Sequence, residues 1–207
     1  MITVCVPTLN RYDLLNKLIN SFEAGIVKPD RYLVVDNGGK FNFFGSNMKV
    51  ELHVPSHNIG VAASWNWLIK NSEEIRIICN DDIEVLPNTL QVIEECYTDK
   101  RILYPQSSDT SSIYSFFIIS DYIYNLVGEF DETISPNYGY FEDNDYAFRI
   151  EKLIREGVDI QYLALPCVYN HSKSSTIKVL NKKELTDHHN KFNIAKENFR
   201  KKWGRLP

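Results

Sequence analysis

The segment from Ile75 to Asp82 has the sequence IRIICNDD, an isoleucine-rich run followed by three polar residues. A short apolar run that ends in a polar cluster predicts a buried strand and then a turn. Two adjacent carboxylates at a strand end cost electrostatic free energy unless a cation or hydrogen-bond donors compensate them. A divalent metal that binds a diphosphate would do so, because Mg²⁺ and Mn²⁺ prefer oxygen ligands. The alternative is a turn with a helix-capping aspartate, and an isolated Asp pair would favour it.

The same alternation of apolar runs and polar turns occurs upstream. Ile2 to Val6 is an apolar run that ends at Pro7, and Tyr32 to Val35 precedes the turn Asp36-Asn37-Gly38-Gly39. Leu52 to Val54 is a further short strand candidate. Apolar residues at helical spacing separate these runs: Leu14, Leu15, Leu18, Ile19 and Phe22; Val61, Trp65, Leu68 and Ile69; and Leu90, Ile93 and Tyr97, with Pro87 expected at the first helical position. This rhythm predicts an α/β fold with a central, mostly parallel mixed sheet flanked by helices, which binds ligands at the carboxyl ends of its strands.

The second half of the chain is less regular. Tyr114 to Ser120 and Ile160 to Leu165 favour strands, and Glu142 to Glu156 favours a helix that Gly157 closes. Ser107 to Ser112 is a polar loop without a core pattern. No internal repeat or domain boundary is evident, so we expect one domain over residues 1–207. Within it we distinguish a donor half (1–106), an acceptor half (107–180) and a C-terminal helical tail (181–207).

Composition excludes several classes of protein. The chain has 207 residues, 43% of them hydrophobic and 24% charged, which is ordinary for a globular protein. The net charge of -4 argues against a protein built mainly to hold nucleic acid. The apolar runs, such as Ile113 to Ile119, are shorter than the roughly 20 residues of a membrane-spanning helix. The strand pattern begins at Met1, so we expect no signal peptide. The scattered cysteines (Cys5, Cys79, Cys96 and Cys167) predict buried reduced thiols in a cytoplasmic protein.

A second group of acids, Glu142-Asp143-x-Asp145, opens the predicted helix of the acceptor half. A helix N-terminus stabilises carboxylates, so capping alone could explain them. The preceding segment Tyr138-Gly139-Tyr140-Phe141 is aromatic and suits a wall against which a sugar packs. His171 follows a strand, and a lone histidine is more often structural than a metal ligand.

Together these segments resemble the family 2 glycosyltransferases, which have the GT-A fold. On the donor side the resemblance lies in Val4 to Arg11, Val34-Val35-Asp36-Asn37, Asn58-Ile59-Gly60 with Asn66, and Asn80-Asp81-Asp82 at the position of the D-x-D-type metal motif. On the acceptor side it lies in Gly128 to Glu132, Phe141-Glu142-Asp143-x-Asp145 with Arg149, His171, and the ending Trp203-Gly204. The resemblance covers nearly the whole chain in order, and the ordered set is more specific than any single motif.

The resemblance implies roles for individual residues. Asp143 would be the base that accepts the proton of the acceptor hydroxyl, and Glu142 would orient the acceptor. Asp82 and His171 would bind Mn²⁺ or Mg²⁺. The residues expected to contact the nucleotide are Pro7, Thr8, Asn10, Arg11, Asp36, Asn58, Asn66 and Asp81. Arg11 is expected either to reach the diphosphate or to brace Asp36. The family's first acidic metal-motif position is Asn80 here, so the ribose and metal contacts are assigned to Asp81 and Asp82.

The reaction implied is transfer of a sugar, with inversion, from a nucleotide-diphosphate sugar to a hydroxyl of a glycan, lipid-linked or other acceptor. UDP is the expected nucleotide, with dTDP and GDP as alternatives. A sugar-phosphate nucleotidyltransferase would normally have a glycine-rich loop after its first strand, and Pro7-Thr8-Leu9-Asn10-Arg11 contains no glycine. A non-catalytic nucleotide-sugar binding module would not need Glu142 and Asp143. Both alternatives stay open at this point.

The C-terminal tail has the opposite charge to the rest of the chain. Between Lys182 and Arg205 there are eight basic residues and three acids, a net charge of +5. The simpler expectation is a solvated helix whose Phe192, Ala195 and Phe199 pack on the sheet. A sharper hypothesis is that its basic face contacts an anionic acceptor or surface. We also expect Ser172 to Asn181 to form a mobile flap.

Overall fold

The computed structural model describes residues 1–42, 50–106, 113–166, 169–171 and 181–207. In these ranges the strands are β1 (Ile2–Thr8), β2 (Arg31–Asp36), β3 (Val50–His53), β4 (Ile75–Cys79), β5 (Ile83–Val85), β6 (Arg101–Gln106), β7 (Phe116–Ile118), β8 (Gln161–Pro166) and β9 (Tyr169–His171). The α-helices are α1 (Tyr12–Glu23), α2 (Gly60–Lys70), α3 (Thr89–Cys96), α4 (Asp121–Val127), α5 (Glu142–Arg155) and α6 (Lys182–Trp203).

A seven-stranded sheet forms the centre of the molecule, in the order β3-β2-β1-β4-β7-β6-β8. All neighbouring pairs are parallel except the two made by β7, which runs antiparallel to β4 and β6. β5 and β9 form a separate two-stranded antiparallel sheet. The predicted fold class, a mostly parallel mixed sheet flanked by helices, is confirmed.

Both faces of the sheet are covered, because successive side chains of its strands alternate between two hydrophobic clusters. In β4, Ile77 and Cys79 belong to one cluster and Ile78 to the other. The first cluster contains the apolar faces of α1 and α3, and the second contains those of α2, α4 and α5. The continuous apolar runs noted in the sequence are therefore strands buried on both sides.

Several predicted boundaries are wrong by a few residues. α3 begins at Thr89, because Leu86, Pro87 and Asn88 form the preceding turn. The predicted strand from Tyr114 to Ser120 is a 3₁₀ turn followed by the shorter β7. Ser120 instead caps α4, since its hydroxyl accepts a hydrogen bond from the Ile123 amide. The predicted loop Ser107 to Ser112 lies outside the described residues.

α6 is a 22-residue helix with strong capping signals. Asn181 caps it in a reciprocal capping box with Glu184, and Gly204 ends it in the left-handed conformation. Asn181 is thus the start of a helix, while the rest of the predicted flap, 172–180, lies outside the described residues. Ala195 and Phe199 are buried, but the Phe199 ring packs against Phe141 and against Phe148 of α5, so the expected packing of the tail on the sheet stays a prediction. No helix within the described ranges is both long and apolar enough to cross a membrane.

The cysteines agree with the sequence expectation as far as they are described. Cys5 and Cys79 are buried free thiols, and Cys96 is half-buried. Burial raises the pKa of Cys5 to about 12, so this thiol stays protonated. Cys167 lies outside the described residues.

Candidate active site

The ends of β1 and β4 meet at the carboxyl edge of the sheet, where Thr8 and Asp81 are both buried. The Thr8 hydroxyl donates a hydrogen bond of 2.6 Å to Asp81 Oδ2. Burial raises the pKa of Asp81 to about 7, the bond from Thr8 opposes this shift, and the neighbouring charge of Asp82 adds to it. Burial therefore disfavours the charged form of Asp81, and a bound cation would stabilise it.

Asp36 ends β2 and is almost completely buried. Its carboxylate accepts hydrogen bonds from the Tyr12 hydroxyl (2.9 Å) and from the amides of Gly38 (3.0 Å) and Phe41 (2.8 Å). A Cβ on Gly38 would collide with the side chains of Asn10 and Tyr12, which explains the glycine at this turn. Sequence reasoning missed Tyr12, although a tyrosine opening the first helix beside the end of β1 was a usable signal.

Arg11 does not brace Asp36. Its guanidinium donates two bonds of 3.2 Å to Asp13, which raises the pKa of Arg11 together with the more distant charges of Asp81 and Asp82. Its Nη1 atom is buried and has no hydrogen-bond partner among the described residues. Bracing was one of the two expected roles, and Tyr12 fills it instead.

Of the other residues expected to contact the nucleotide, Pro7, Asn10 and Asn58 lie at the carboxyl edge of the sheet. Pro7 lies in β1 opposite Val35, and Asn10 takes the left-handed conformation with φ 58°. The Asn58 side chain accepts a 2.9 Å bond from the Gly60 amide at the start of α2. Pro7, Asn10 and Asn58 thus all lie near the carboxyl edge.

Asn66 has a different environment. It is buried in α2, and its amide bonds both the carbonyl (2.9 Å) and the amide (2.8 Å) of Phe130. It also donates a 3.0 Å bond to Glu132. The side chain therefore links α2 to the segment of the acceptor half that precedes α5, and these bonds use its hydrogen-bonding groups.

Two glycines allow the start of α2 to touch the acceptor half. Gly60 has φ 81°, and a Cβ at this position would lie 2.5 Å from the Tyr138 amide nitrogen. The next amide, of Val61, donates a 2.6 Å bond to the Tyr138 carbonyl. A Cβ on Gly139 would in turn collide with the Val61 side chain. Since α2 follows the carboxyl end of β3, this contact brings the 137–139 segment to the same edge as Asp36.

Glu142 and Asp143 begin α5 directly after this segment, behind Phe141 in the left-handed conformation. Glu142 is only 5% exposed, and its Oε2 atom has no hydrogen-bond partner within the described part of the chain. Burial, and then the charge of Asp143, raise the pKa of Glu142 to about 8. Asp143 is half-buried and accepts a 2.8 Å bond from the Asn144 amide. Both residues line a cavity of about 220 Å³ formed by residues 139–144 and Phe192.

Asp145 is completely buried, and residues at the end of α6 help to compensate its negative charge. It accepts bonds from Arg149 (3.0 Å), Trp203 Nε1 (2.9 Å) and Lys202 (2.7 Å). Lys202 also pairs with Asp131 at 2.7 Å. Lys202 is therefore an anchor between α6 and α5, which corrects its assignment to a free basic face of the tail.

The position of His171 is described for its backbone alone. In the antiparallel pair of β5 and β9, His171 lies opposite Ile83, the residue after Asp82. Among the described residues, no group of three or more His, Cys, Asp or Glu side chains could hold a metal ion. Asp81 and Asp82 nevertheless fit a divalent cation, because they supply adjacent carboxylate oxygens of the kind that Mg²⁺ and Mn²⁺ prefer.

No protein-family profile and no curated protein sequence matches the chain. Among solved structures, the mannosyltransferase PcManGT from Pyrobaculum calidifontis, in complex with GDP-Man and Mn²⁺, has a TM-score of 0.62 at 12% identity, covering 100% of this chain and 76% of that one. TarS from S. aureus has a TM-score of 0.60 at 16% identity over 84% of this chain. Its residues 1–349, in complex with UDP-GlcNAc, give 0.59 at 15% identity, over 96% of this chain and 66% of that chain.

These structural neighbours are glycosyltransferases. At such low identities the likeness establishes the fold, which is that of the GT-A glycosyltransferases. The chain spans 37% of the full TarS chain, so the neighbour's complete architecture does not transfer to it.

Proposed function

We propose that this protein is an inverting, metal-dependent glycosyltransferase that moves a sugar from a UDP-linked donor to an acceptor hydroxyl. The observation that carries the proposal is a GT-A fold with two separate acidic centres. One comprises Asp36, Asp81 and Asp82 at the carboxyl ends of β2 and β4, and the other is the pair Glu142 and Asp143 beside a cavity. A binding module would need only the first centre, so the pair favours an enzyme.

The donor nucleotide is assigned to the carboxyl edge of β1 and β2. Asp36, oriented by Tyr12, would bind the base together with the backbone near Thr8, and Asp81 would bind the ribose. The unpartnered Nη1 of Arg11 supports a role toward the diphosphate. Pro7, Asn10 and Asn58 would line the site. We leave Asn66 out, because Phe130 and Glu132 already use its amide.

Neighbours of the same fold bind nucleotide sugars, namely UDP-GlcNAc in TarS and GDP-Man in PcManGT. They support a nucleotide-sugar donor, with UDP as our first choice and GDP as the alternative. The Mn²⁺ in PcManGT likewise supports a divalent metal.

Asp82 and His171 are the residues we assign to the metal, Mn²⁺ or Mg²⁺. When bound, the ion would neutralise charge on the leaving diphosphate. The backbone register of β5 and β9 supports this pairing, since it brings His171 opposite the residue that follows Asp82.

Asp143 is the proposed base, because it is half-buried and lines the cavity. It would accept the acceptor's proton as the hydroxyl attacks the anomeric carbon, in one in-line displacement that inverts the configuration. Glu142 would orient the acceptor. Asp145 is unsuited to the task, since three donors bind its carboxylate deep in the fold.

The proposal is tested by calorimetry with UDP, GDP and dTDP, with and without Mn²⁺, followed by a transfer assay with nucleotide sugars. We expect one nucleotide to bind in Mn²⁺ and to bind more weakly when a chelator is added. If none binds in Mn²⁺ or Mg²⁺, the donor-site assignment fails.

Contact of the tail with an anionic surface remains a second, independent proposal. Lys182, Lys183, Lys196 and Lys201 are exposed on α6, while Lys202 is used internally. Replacing Lys196 and Lys201 with alanine should raise the acceptor KM at low salt and have less effect at high salt. An unchanged acceptor KM would indicate that the tail has only a structural role. A cytoplasmic location also stays a prediction from the reduced thiols.

A further inference from the structure

One wall of the cavity at the start of α5 comes from α6, which sequence reasoning treated as a tail. The ring centroid of Phe192 lies 5.2 Å from that of Tyr140 and 5.3 Å from that of Phe141. Phe192 is half-buried, and it lines the cavity together with residues 139–144. Aromatic walls with a few placed polar groups are typical of small-molecule sites.

Contacts with the body of the protein fix this wall in place. The Tyr140 hydroxyl bonds the imidazole of His188, with the closer nitrogen 2.6 Å away. Burial, and then the neighbouring His189, lower the pKa of His188, so the ring is neutral and accepts this bond. The Lys191 ammonium lies 4.1 Å from the centroid of the Tyr138 ring. The first half of α6 is therefore attached to the aromatic segment that precedes Glu142.

Glu142, one of the residues that line the cavity, has a buried carboxyl oxygen, Oε2, that finds no hydrogen-bond partner among the described residues. An unsatisfied buried carboxyl oxygen is destabilising, and a ligand hydroxyl that reaches it would remove that cost. With its raised pKa the carboxyl is largely protonated at neutral pH, so it can donate as well as accept a hydrogen bond. A site of this kind selects strongly for a ligand that carries the matching hydroxyl.

Charge and size restrict the occupant. The described residues that line the cavity include two acids and neither lysine nor arginine, which disfavours a phosphate or carboxylate ligand. Its volume of about 220 Å³ is below the roughly 300–1,000 Å³ of sites for drug-sized ligands. The space therefore suits a single small ring.

We propose that this cavity is a subsite for one uncharged pyranose ring of the acceptor, with Phe192 as a wall and Glu142 bonded to a ring hydroxyl. The proposal rests on the proposed transferase function and defines its acceptor as a glycan. It also makes α6 a part of the acceptor site.

The test is saturation-transfer NMR on the full chain in the presence of UDP and Mn²⁺. The probes are the methyl glycosides of glucose, galactose, mannose and N-acetylglucosamine, with glycerol phosphate as the anionic comparison. We expect at least one glycoside to bind at millimolar concentration and glycerol phosphate not to bind. Phe192→Ala should weaken glycoside binding at least roughly tenfold. Ile194→Ala, an exposed position on the same helix, should not.

Glu142 is tested by a matched pair of substitutions. Glu142→Gln keeps a hydrogen-bonding group and should retain glycoside binding, whereas Glu142→Leu should lose it. Calorimetry with UDP checks that each variant is folded. If the nucleotide binds but no glycoside does, or if Phe192→Ala binds glycosides like the unmodified protein, the subsite proposal is overturned while the transferase proposal stands. If none of UDP, GDP and dTDP binds in Mn²⁺ or Mg²⁺, both proposals fail.

Discussion

Asp36 in the donor half and Asp145 in the acceptor half are both buried carboxylates with three hydrogen-bond donors. The donors to Asp36 are the Tyr12 hydroxyl and two amides within five residues of it. Two of the donors to Asp145 come from Lys202 and Trp203 at the end of α6, of which Trp203 is 58 positions away. One carboxylate is thus satisfied by its own strand, turn and helix, and the other by a distant helix.

The two halves of the candidate site therefore differ in whether their hydrogen-bond donors come from neighbouring or from distant segments. The donor side is built from neighbouring β-α units, and its donors are in place once β1 and β2 pair. The acceptor side depends on the docking of α6, which supplies both the anchors of α5 and a wall of the cavity. We therefore expect substitutions in α6 to change the acceptor side and to leave nucleotide binding unaltered.

The largest expected effect separates chemistry from binding. Asp143→Asn keeps the shape of the side chain and removes the base, so transfer should fall roughly 10²–10⁴-fold while nucleotide affinity is preserved. Initial rates and UDP calorimetry measure the two quantities. Asp159→Asn, an exposed carboxylate paired with Lys100, is the matched control. Full activity in Asp143→Asn would move the role of base to Glu142.

The next effect tests the donor side alone. Asp82→Asn should weaken nucleotide binding in Mn²⁺ by roughly 10–100-fold, because a metal ligand is lost. Binding measured with a chelator should change little. Glu84→Gln, exposed on β5, serves as the control. Equal losses with and without metal would show that Asp82 does not act through the ion.

A third prediction compares how much a single donor to each buried carboxylate contributes to the free energy of unfolding. Lys202→Met removes a donor to Asp145 and should lower the free energy of unfolding by about 1.5 kcal/mol, because the side chain is one-third exposed. Tyr12→Phe removes one donor to Asp36 and should cost about 1 kcal/mol. Urea denaturation measures both, with Lys201→Met as the control for α6. A Lys202→Met protein as stable as the Lys201→Met protein would contradict the anchoring role.

The last prediction concerns a pH dependence of stability. The pKa of Glu142 is raised from 4.5 to about 8, so the folded protein keeps a proton that the unfolded chain releases between these values. The stability contributed by this group therefore falls as pH rises across that interval, by at most about 1.4 kcal/mol per unit. Glu142→Gln should lose less stability than the unmodified protein between pH 5 and about 8. Parallel curves would contradict the raised pKa; Glu73→Gln, at an exposed position, is the control.

The sequence predicts the donor half well, because its information is local. Ile2 to Val6, Tyr32 to Val35 and Ile75 to Cys79 all fall within strands, and each ends in the polar cluster noted beforehand. The bracing of Asp36 by Tyr12 was missed, since a helix-opening tyrosine has many alternative roles.

The acceptor half was predicted less completely, because its contacts join distant segments. The approach to Glu142 was recognised as an aromatic wall, but nothing in the local pattern shows that Phe192 and His188 pack against it. The ending Trp203-Gly204 was noted only through the family resemblance. The contact of Trp203 with Asp145 forms only when α6 packs against α5. The sequence gives a weak signal for that packing, because α6 has few apolar positions, and Ala195 and Phe199 are its buried residues.

The contact between Gly60 and the 137–139 segment limits how this protein can be redesigned. Any side chain at Gly60 would collide with the Tyr138 backbone, and any at Gly139 with Val61. The rings of the cavity meet through side chains alone, so they can be varied without disturbing this backbone contact. The two glycines must be kept in every such library, because enlarging either one would push the start of α2 away from the 137–139 segment.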